Sequence, residues 1–279
     1  MKQYYRLIKP GIVYGNTMTA LAAFVFASST EFNFVLLGAT LFGLAASIAG
    51  ACVVNNVLDR DIDAHMERTK NRAIPTGRIS VRSALLFAAV LFTLGTGTLF
   101  FFTNALTLLV TLFGVFVYVC VYTPAKRRTP YSTSIGAVAG AVPPVVGYVA
   151  VTSTLDTTAL LLFLVLVCWQ MTHFFSIAIF RLKDYSDAGL PVMPVHLGMF
   201  RTKVLMTLYV VLFAYASYAL YAIRHLGHLY GVTLAVLSFG WFLLSLHGFR
   251  MRDTTTWARR MFFYSIIVLL LFSLTLALS

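Results

Sequence analysis

The sequence predicts an all-α, polytopic integral membrane protein, a bundle of nine transmembrane helices, and three observations carry that expectation. Of its 279 residues, 59% are apolar and only 11% charged, a balance that no water-soluble core of this length could hide. The apolar residues fall in stretches of about 20, the length at which a helix crosses the hydrocarbon of a bilayer. The positive charge is also one-sided. With the N-terminus on the cytoplasmic side, every one of the 21 Lys and Arg residues except Arg224 lies in a cytoplasmic segment, which is the positive-inside pattern. The net charge of +12 therefore follows topology rather than one basic face, and it calls for no nucleic-acid partner.

Taken in order, the first span covers roughly residues 9–28 and is opened by Lys9-Pro10-Gly11. A short outer connection from Ser28 to Asn33 leads into the second, 34–57, which runs off its cytoplasmic end into an acidic segment. The third and fourth, 82–102 and 105–123, follow a long cytoplasmic loop, and the fourth ends with Tyr122 and Lys126 spaced four apart. The fifth, 132–152, carries Gly136, Gly140 and Gly147 around Pro143-Pro144, a pattern of close helix packing with a kink. The sixth, 158–180, contains a polar island at Trp169-Gln170-Met171-Thr172-His173 and is followed by the other long cytoplasmic loop. The last three, 202–222, 229–248 and 260–278, leave the C-terminus on the periplasmic side of a bacterial inner membrane.

No low-complexity tract or long linker interrupts this pattern, so residues 1–279 read as a single membrane-embedded domain. Met1 to Arg6 is too short and too polar for a cleavable signal. Cys52, Cys120 and Cys168 lie within spans at none of the close spacings of zinc or redox sites, and are expected to be packing residues.

The acids locate the chemistry. Only Glu31, Asp156 and Asp253 fall outside the two long cytoplasmic loops. In the first loop, Asn55, Asp59 and Asp63 are spaced by four, so a continuing helix places them in one polar stripe about 12 Å long, with Asp61 pointing elsewhere. Two carboxylates and an amide on one face, without a cation at matching spacing, repel one another unless a metal or a protonation change intervenes. Oxygen ligands of this kind suit Mg²⁺, which is held by one or two carboxylates together with substrate phosphates, so the stripe reads as half of a diphosphate site. In the second loop, Asp184 and Asp187, three apart beside Lys183, could supply the other half, or be merely solvated. Arg68, Lys70 and Arg72 after the first cluster, with Tyr122 and Lys126, are the cations and hydroxyl available to a departing diphosphate, although each cation also serves topology. His173, an ionisable group within a span, is costly there and open to three roles: iron ligand, general base or interhelical hydrogen bonding.

At these motifs the chain resembles the UbiA superfamily of intramembrane prenyltransferases. The resemblance covers almost the whole chain: Lys9-Pro10-Gly11, the run from Asn55 to Asp63 with Met66 to Arg72, the Tyr122-to-Lys126 pair, Gly140 to Pro144 with Gly147-Tyr148, Trp169-Gln170 with His173-Phe174, and Lys183-Asp184-Tyr185 leading to Pro191-Val192-Met193-Pro194-Val195. The last three blocks are the specific ones, and the last two resemble the haem-prenylating branch, whereas the Asn-Asp-Asp spacing alone would admit any member. The resemblance implies a nine-helix bundle around a central cavity, Mg²⁺ as cofactor, farnesyl diphosphate as donor, and haem B as acceptor. The acceptor's vinyl group would become hydroxyethylfarnesyl, giving haem O for hand-off to a terminal oxidase or a haem A synthase. By the same comparison Asn55, Asp59, Asp63 and Asp184 correspond to magnesium-diphosphate positions, and Arg68, Arg72, Tyr122 and Lys126, with Lys183 alongside, to diphosphate contacts. Many members place the second pair of acids four apart; here Asp187 stands three after Asp184, which leaves its role open.

Two rival readings remain from the residues. A transporter of haem or of a phosphorylated lipid would favour polar groups near the midplane and matching halves, whereas here the polar motifs crowd one face. A prenyltransferase acting on an aromatic quinone precursor would share the acidic stripe.

Overall fold

A computed structural model of the chain describes residues 2–28 and 32–279. Residues 29–31, in the expected outer connection and including Glu31, lie outside the described residues. Among those described, nine helices are long and apolar enough to cross a membrane: α1 Pro10–Ala27, α2 Phe34–Leu58, α3 Val81–Phe102, α4 Ala105–Ala125, α5 Ser132–Thr152, α6 Thr157–Phe180, α7 Met199–Arg224, α8 His228–His247 and α9 Thr254–Ala277. Short helices Lys2–Leu7, Arg60–His65, Leu182–Asp187 and Met193–His196 lie between them or before them.

Two spans begin earlier than hydropathy indicates. α7 starts at Met199 and so takes in Arg201; α9 starts at Thr254 and so takes in Arg259. Hydropathy ends a span at such charges, but a helix continues through them when the long side chains reach back to the interface. Asp253 fixes the start of α9 by accepting from the Thr256 amide at 3.0 Å, a side-chain N-cap. Lys203 is buried, donates to the Gly248 carbonyl at 2.6 Å, and lies over the Trp257 ring at 5.2 Å.

Small residues decide which helices approach closely. A Cβ on Gly147 would overlap the Ala20 carbonyl, so α1 and α5 touch backbone to backbone. Gly43 on α2 and Gly95 on α3 make a similar contact. Without water to drive association inside the bilayer, such close packing supplies the attraction. α2, α5 and α6 are the most buried spans, and α3 and α4 the most exposed. The expected kink in α5 is present as a break at Ala141, just before Pro143 and Pro144. The largest side-chain cluster joins α1 and α5–α9; a separate one ties α2, α3 and the Lys2–Leu7 helix to the long loop between α2 and α3 through Leu7, Ala73, Ile74 and Ile79. That loop is therefore folded down over the ends of α2 and α3.

Cys52 and Cys168 are buried as expected, but Cys120 is exposed. It lies in a π-helical segment of α4, Val117–Tyr122, whose extra residue per turn rotates it out of the packed face. A crevice of about 610 Å³ opens between α7 and α8, lined by Val210, Val211, Tyr218, Val232 and Phe239 among others. Its walls are far from the acidic motifs in sequence.

Candidate active site

Helix α2 ends at Leu58, and the chain resumes as Arg60–His65 with almost no change of course. The Asp59 amide still donates to the Asn55 carbonyl at 2.9 Å and the Asp63 amide to the Asp59 carbonyl at 2.8 Å. The i to i+4 ladder thus carries Asn55, Asp59 and Asp63 on one side, and all three are buried, at 2%, 3% and 4% exposure. Asp61 points into solvent and pairs with Arg60 at 3.2 Å. The stripe is where the sequence places it, and its burial makes its charge the central electrostatic problem of this face.

Cations from three other elements answer that problem. Lys126, just past the end of α4, forms an ion pair with Asp59 Oδ2. Arg72, from the folded loop, donates to Asp63 Oδ2 at 2.7 Å and to Asn56 Oδ1 at 3.3 Å. Lys9, at the mouth of α1, donates to Asn55 Oδ1, and burial pushes its ammonium down to about 8. Thr123 accepts from the Asn55 amide nitrogen at 2.9 Å. The absence of a cation within the stripe itself is thus made good by residues up to 67 positions away.

The local folding of α4 explains how its end reaches the stripe. Pro124 has no amide proton to continue an α-helical ladder, and the turn before it widens to a π-helix over Val117–Tyr122. Thr123 closes the wide turn by giving its hydroxyl proton to the Tyr118 carbonyl at 2.8 Å. Tyr118 and Tyr122 stack at 5.5 Å, and the Tyr122 ring fits where Gly136 lacks a side chain: a Cβ there would meet it at 3.0 Å. The Tyr122 side chain lies within electrostatic reach of both Asp59 and Tyr185.

Tyr185 belongs to the short Leu182–Asp187 helix that carries the second acidic pair. Burial raises the pKa of its hydroxyl, and the charges of Arg68 and Arg181 work against that rise. Arg68, on the first loop, and Asp184, on the second, therefore lie within electrostatic reach of the same side chain. Asp184 is partly buried and faces Arg181 at 3.5 Å. Asp187 and Lys183 are exposed, and among the described residues neither forms an ion pair.

The donor set passes a test for Mg²⁺. Asp59 Oδ1 is buried and has no hydrogen-bond partner, a costly state for a carboxylate oxygen, and a hard cation relieves it. Among the described residues no three Asp, Glu, His or Cys side chains gather closely enough to hold a metal by themselves. This matches magnesium's habit of keeping one or two carboxylates and completing its shell with water and phosphate oxygens.

His173 stands apart from the acids, seven residues before the end of α6. Its Nδ1 lies 2.7 Å from Ser265 Oγ on α9, and its ring stacks on Trp169 at 4.7 Å and leans on Phe262 at 4.8 Å. Gln170 beside it donates to the Ala137 and Leu166 carbonyls, so this part of the polar island holds helices together. Lys9, Thr123 and Asn56 were not singled out as site residues from sequence. For Lys9 a signal existed: a Lys directly before a Pro at the mouth of a span. For Thr123 and Asn56 no sequence spacing pointed to them.

Comparison with known proteins identifies the family and the fold. The model of the UbiA prenyltransferase family matches residues 16–267. The chain is 43% identical over 277 residues to the protoheme IX farnesyltransferase of Protochlamydia amoebophila, covering 99% of this chain and 98% of that one. It is 42% identical over 276 residues to the protein of that name from Acinetobacter baylyi, covering 99% and 94%. Among solved structures, a digeranylgeranylglyceryl phosphate synthase superposes with a TM-score of 0.82 at 18% identity, over 99% of this chain and 97% of that one. A UbiA homologue from Archaeoglobus fulgidus bound to GPP and Mg²⁺ superposes with a TM-score of 0.70 at 17% identity, over 98% and 99%. Sequence and fold together place this chain in the UbiA prenyltransferase family.

Proposed function

We propose that the protein transfers a farnesyl group from farnesyl diphosphate to a vinyl group of haem B, with addition of water, releasing diphosphate and haem O. The observation that carries the diphosphate half is the buried Asp59, with one oxygen on Lys126 and the other free. The acceptor half is supported by relatives over 40% identical along their whole length that bear the name protoheme IX farnesyltransferase. Membership of a prenyltransferase family speaks against the transport reading.

In this reading Asn55, Asp59 and Asp63 would hold Mg²⁺ on one side and Asp184 would meet the metal-bound diphosphate from the other, with Asp187 an outer candidate whose exposure argues for a lesser part. When bound, the ion supplies positive charge against the leaving diphosphate. The chain supplies the rest. Lys126 and Arg72 neutralise buried carboxylates and would be the cations nearest to face phosphate oxygens, and Arg68 and Lys183 lie at the solvent edge to guide the anion in. Tyr122, sealed between Gly136 and Tyr118, gives an O–H donor and an aromatic face near the point of cleavage. Fixed dipoles and charges in a water-poor pocket favour separation of diphosphate from an allylic carbon that carries positive charge. The vinyl carbon of the acceptor then bonds to that carbon, and water adds to the cation left beside the porphyrin, losing a proton to give the alcohol.

The proposed setting is a bacterial inner membrane, with the N-terminus and both acidic loops cytoplasmic and the C-terminus periplasmic, and with product passed to a terminal oxidase or a haem A synthase. The test is extraction of haem from membranes with and without the protein, followed by mass analysis. A species heavier than haem B by one farnesyl group plus one hydroxyl is expected only with the protein present; a prenylated aromatic acid with unchanged haem would replace the acceptor.

A further inference from the structure

His173 has a hydrogen-bond partner whose own proton is already committed. Ser265 Oγ lies 2.6 Å from the Phe262 carbonyl oxygen, which can only accept, so the single hydroxyl proton of Ser265 goes there. The same Oγ lies 2.7 Å from His173 Nδ1, and with its proton spent it can only accept from that nitrogen. Nδ1 therefore carries the ring proton, and Nε2 is left with a bare lone pair. Nε2 makes no hydrogen bond among the described residues, and it is not among the sealed unpartnered atoms.

The arrangement is held rigidly. Ser265 is completely buried, and its backbone carbonyl accepts from Trp169 Nε1 at 2.7 Å. One turn of α6 thus grips one residue of α9 twice, through Trp169 and through His173. Trp169 and Phe262 flank the imidazole and fix its plane. His173 lies about 10 Å from the cytoplasmic end of α6 at 1.5 Å per residue, in the same half of the membrane as Asn55.

We propose that Ser265 is a positioning residue that holds His173 in the Nδ1–H tautomer and so presents Nε2 as a ligand to the iron of the tetrapyrrole acceptor. This rests on haem B being the acceptor. A ring nitrogen that donates to a fixed acceptor makes its partner nitrogen a better metal ligand, and losing such an outer hydrogen bond costs about 10- to 100-fold in metal affinity.

The test uses the full-length protein in detergent, with haem B titrated in and the iron–histidine stretching band of the reduced complex recorded by resonance Raman. The wild type is expected to show the band, and His173→Ala to lack it. Ser265→Ala is expected to bind haem about tenfold more weakly with the band moved to lower frequency. Ser265→Thr and Ser265→Val, equal in volume and differing by the hydroxyl, repeat the comparison free of packing effects: Thr keeps the wild-type band and Val does not. Wild-type affinity and band in both Ser265→Ala and Ser265→Val would overturn the proposal, as would a wild type with no iron–histidine band. Haem O formation is measured on the same samples. Product without sensitivity to Ser265 removes this proposal alone, whereas no product from the wild type removes the acceptor on which it rests.

Discussion

Asp59 and Lys126 form an ion pair with little access to water, their side chains 4% and 18% exposed. Removing one partner of such a pair leaves an uncompensated buried charge, which costs about 3–5 kcal/mol. Lys126→Met should therefore lower the thermal midpoint of the detergent-solubilised protein, and Lys126→Met with Asp59→Asn should recover most of that loss while remaining inactive. If the double variant is as unstable as the single one, the two residues are not charge partners. The acids of this site were legible from spacing alone, because an i, i+4 repeat fixes a helical face. Their partners were not. Lys9, Thr123 and Asn56 meet the stripe only through helix packing, and no local pattern encodes which Lys of a positive-inside set is drawn into a buried pair. The three roles left open for His173 narrow in the same way, since its neighbour Ser265 stands 92 residues later.

The π-helical segment Val117–Tyr122 decides where the end of α4 points. The wide turn absorbs one extra residue and leaves the helix beyond it facing the stripe; a further residue that it cannot absorb rotates everything after it by about 100°. Insertion of an Ala after Val119 is expected to leave a protein that inserts and purifies normally but forms product at least about 100-fold more slowly, because Tyr122, Thr123 and Lys126 leave the stripe. Near-normal turnover in that variant would mean that the facing of the end of α4 does not position the site. The spans themselves were legible from hydropathy, and most ends agree within a residue or two. The exceptions, the starts of α7 and α9, share one cause: Arg201 and Arg259 sit inside helices whose ends reach the interface, so polarity placed the expected starts too late. The π-turn left no trace in hydropathy, since every residue in it is apolar or aromatic, and for the same reason Cys120 was expected to be packed rather than exposed.

Across the molecule, charge and chemistry share a side. The cations of the positive-inside pattern include the ones that compensate the buried acids, so the proposed orientation and the proposed activity draw on the same residues. Labelling with a membrane-impermeant maleimide checks the orientation: Arg128→Cys should react only from the cytoplasmic side, and Thr154→Cys only from the periplasmic side. The reverse pattern would invert the proposed topology. The nine-helix architecture was readable from composition and span length, whereas the folding of the first loop down over α2 and α3, which delivers Arg72 to Asp63, depends on Ala73, Ile74 and Ile79 finding buried partners. The claim on which the rest depends is that the buried stripe takes Mg²⁺ and diphosphate together. Calorimetric titration of farnesyl diphosphate into the purified protein, with and without Mg²⁺, examines it directly in the wild type and in Asp59→Asn. Binding that requires Mg²⁺ in the wild type and weakens at least about tenfold in Asp59→Asn is expected; equal binding by both proteins, or binding indifferent to Mg²⁺, would contradict the assignment of this stripe as the site.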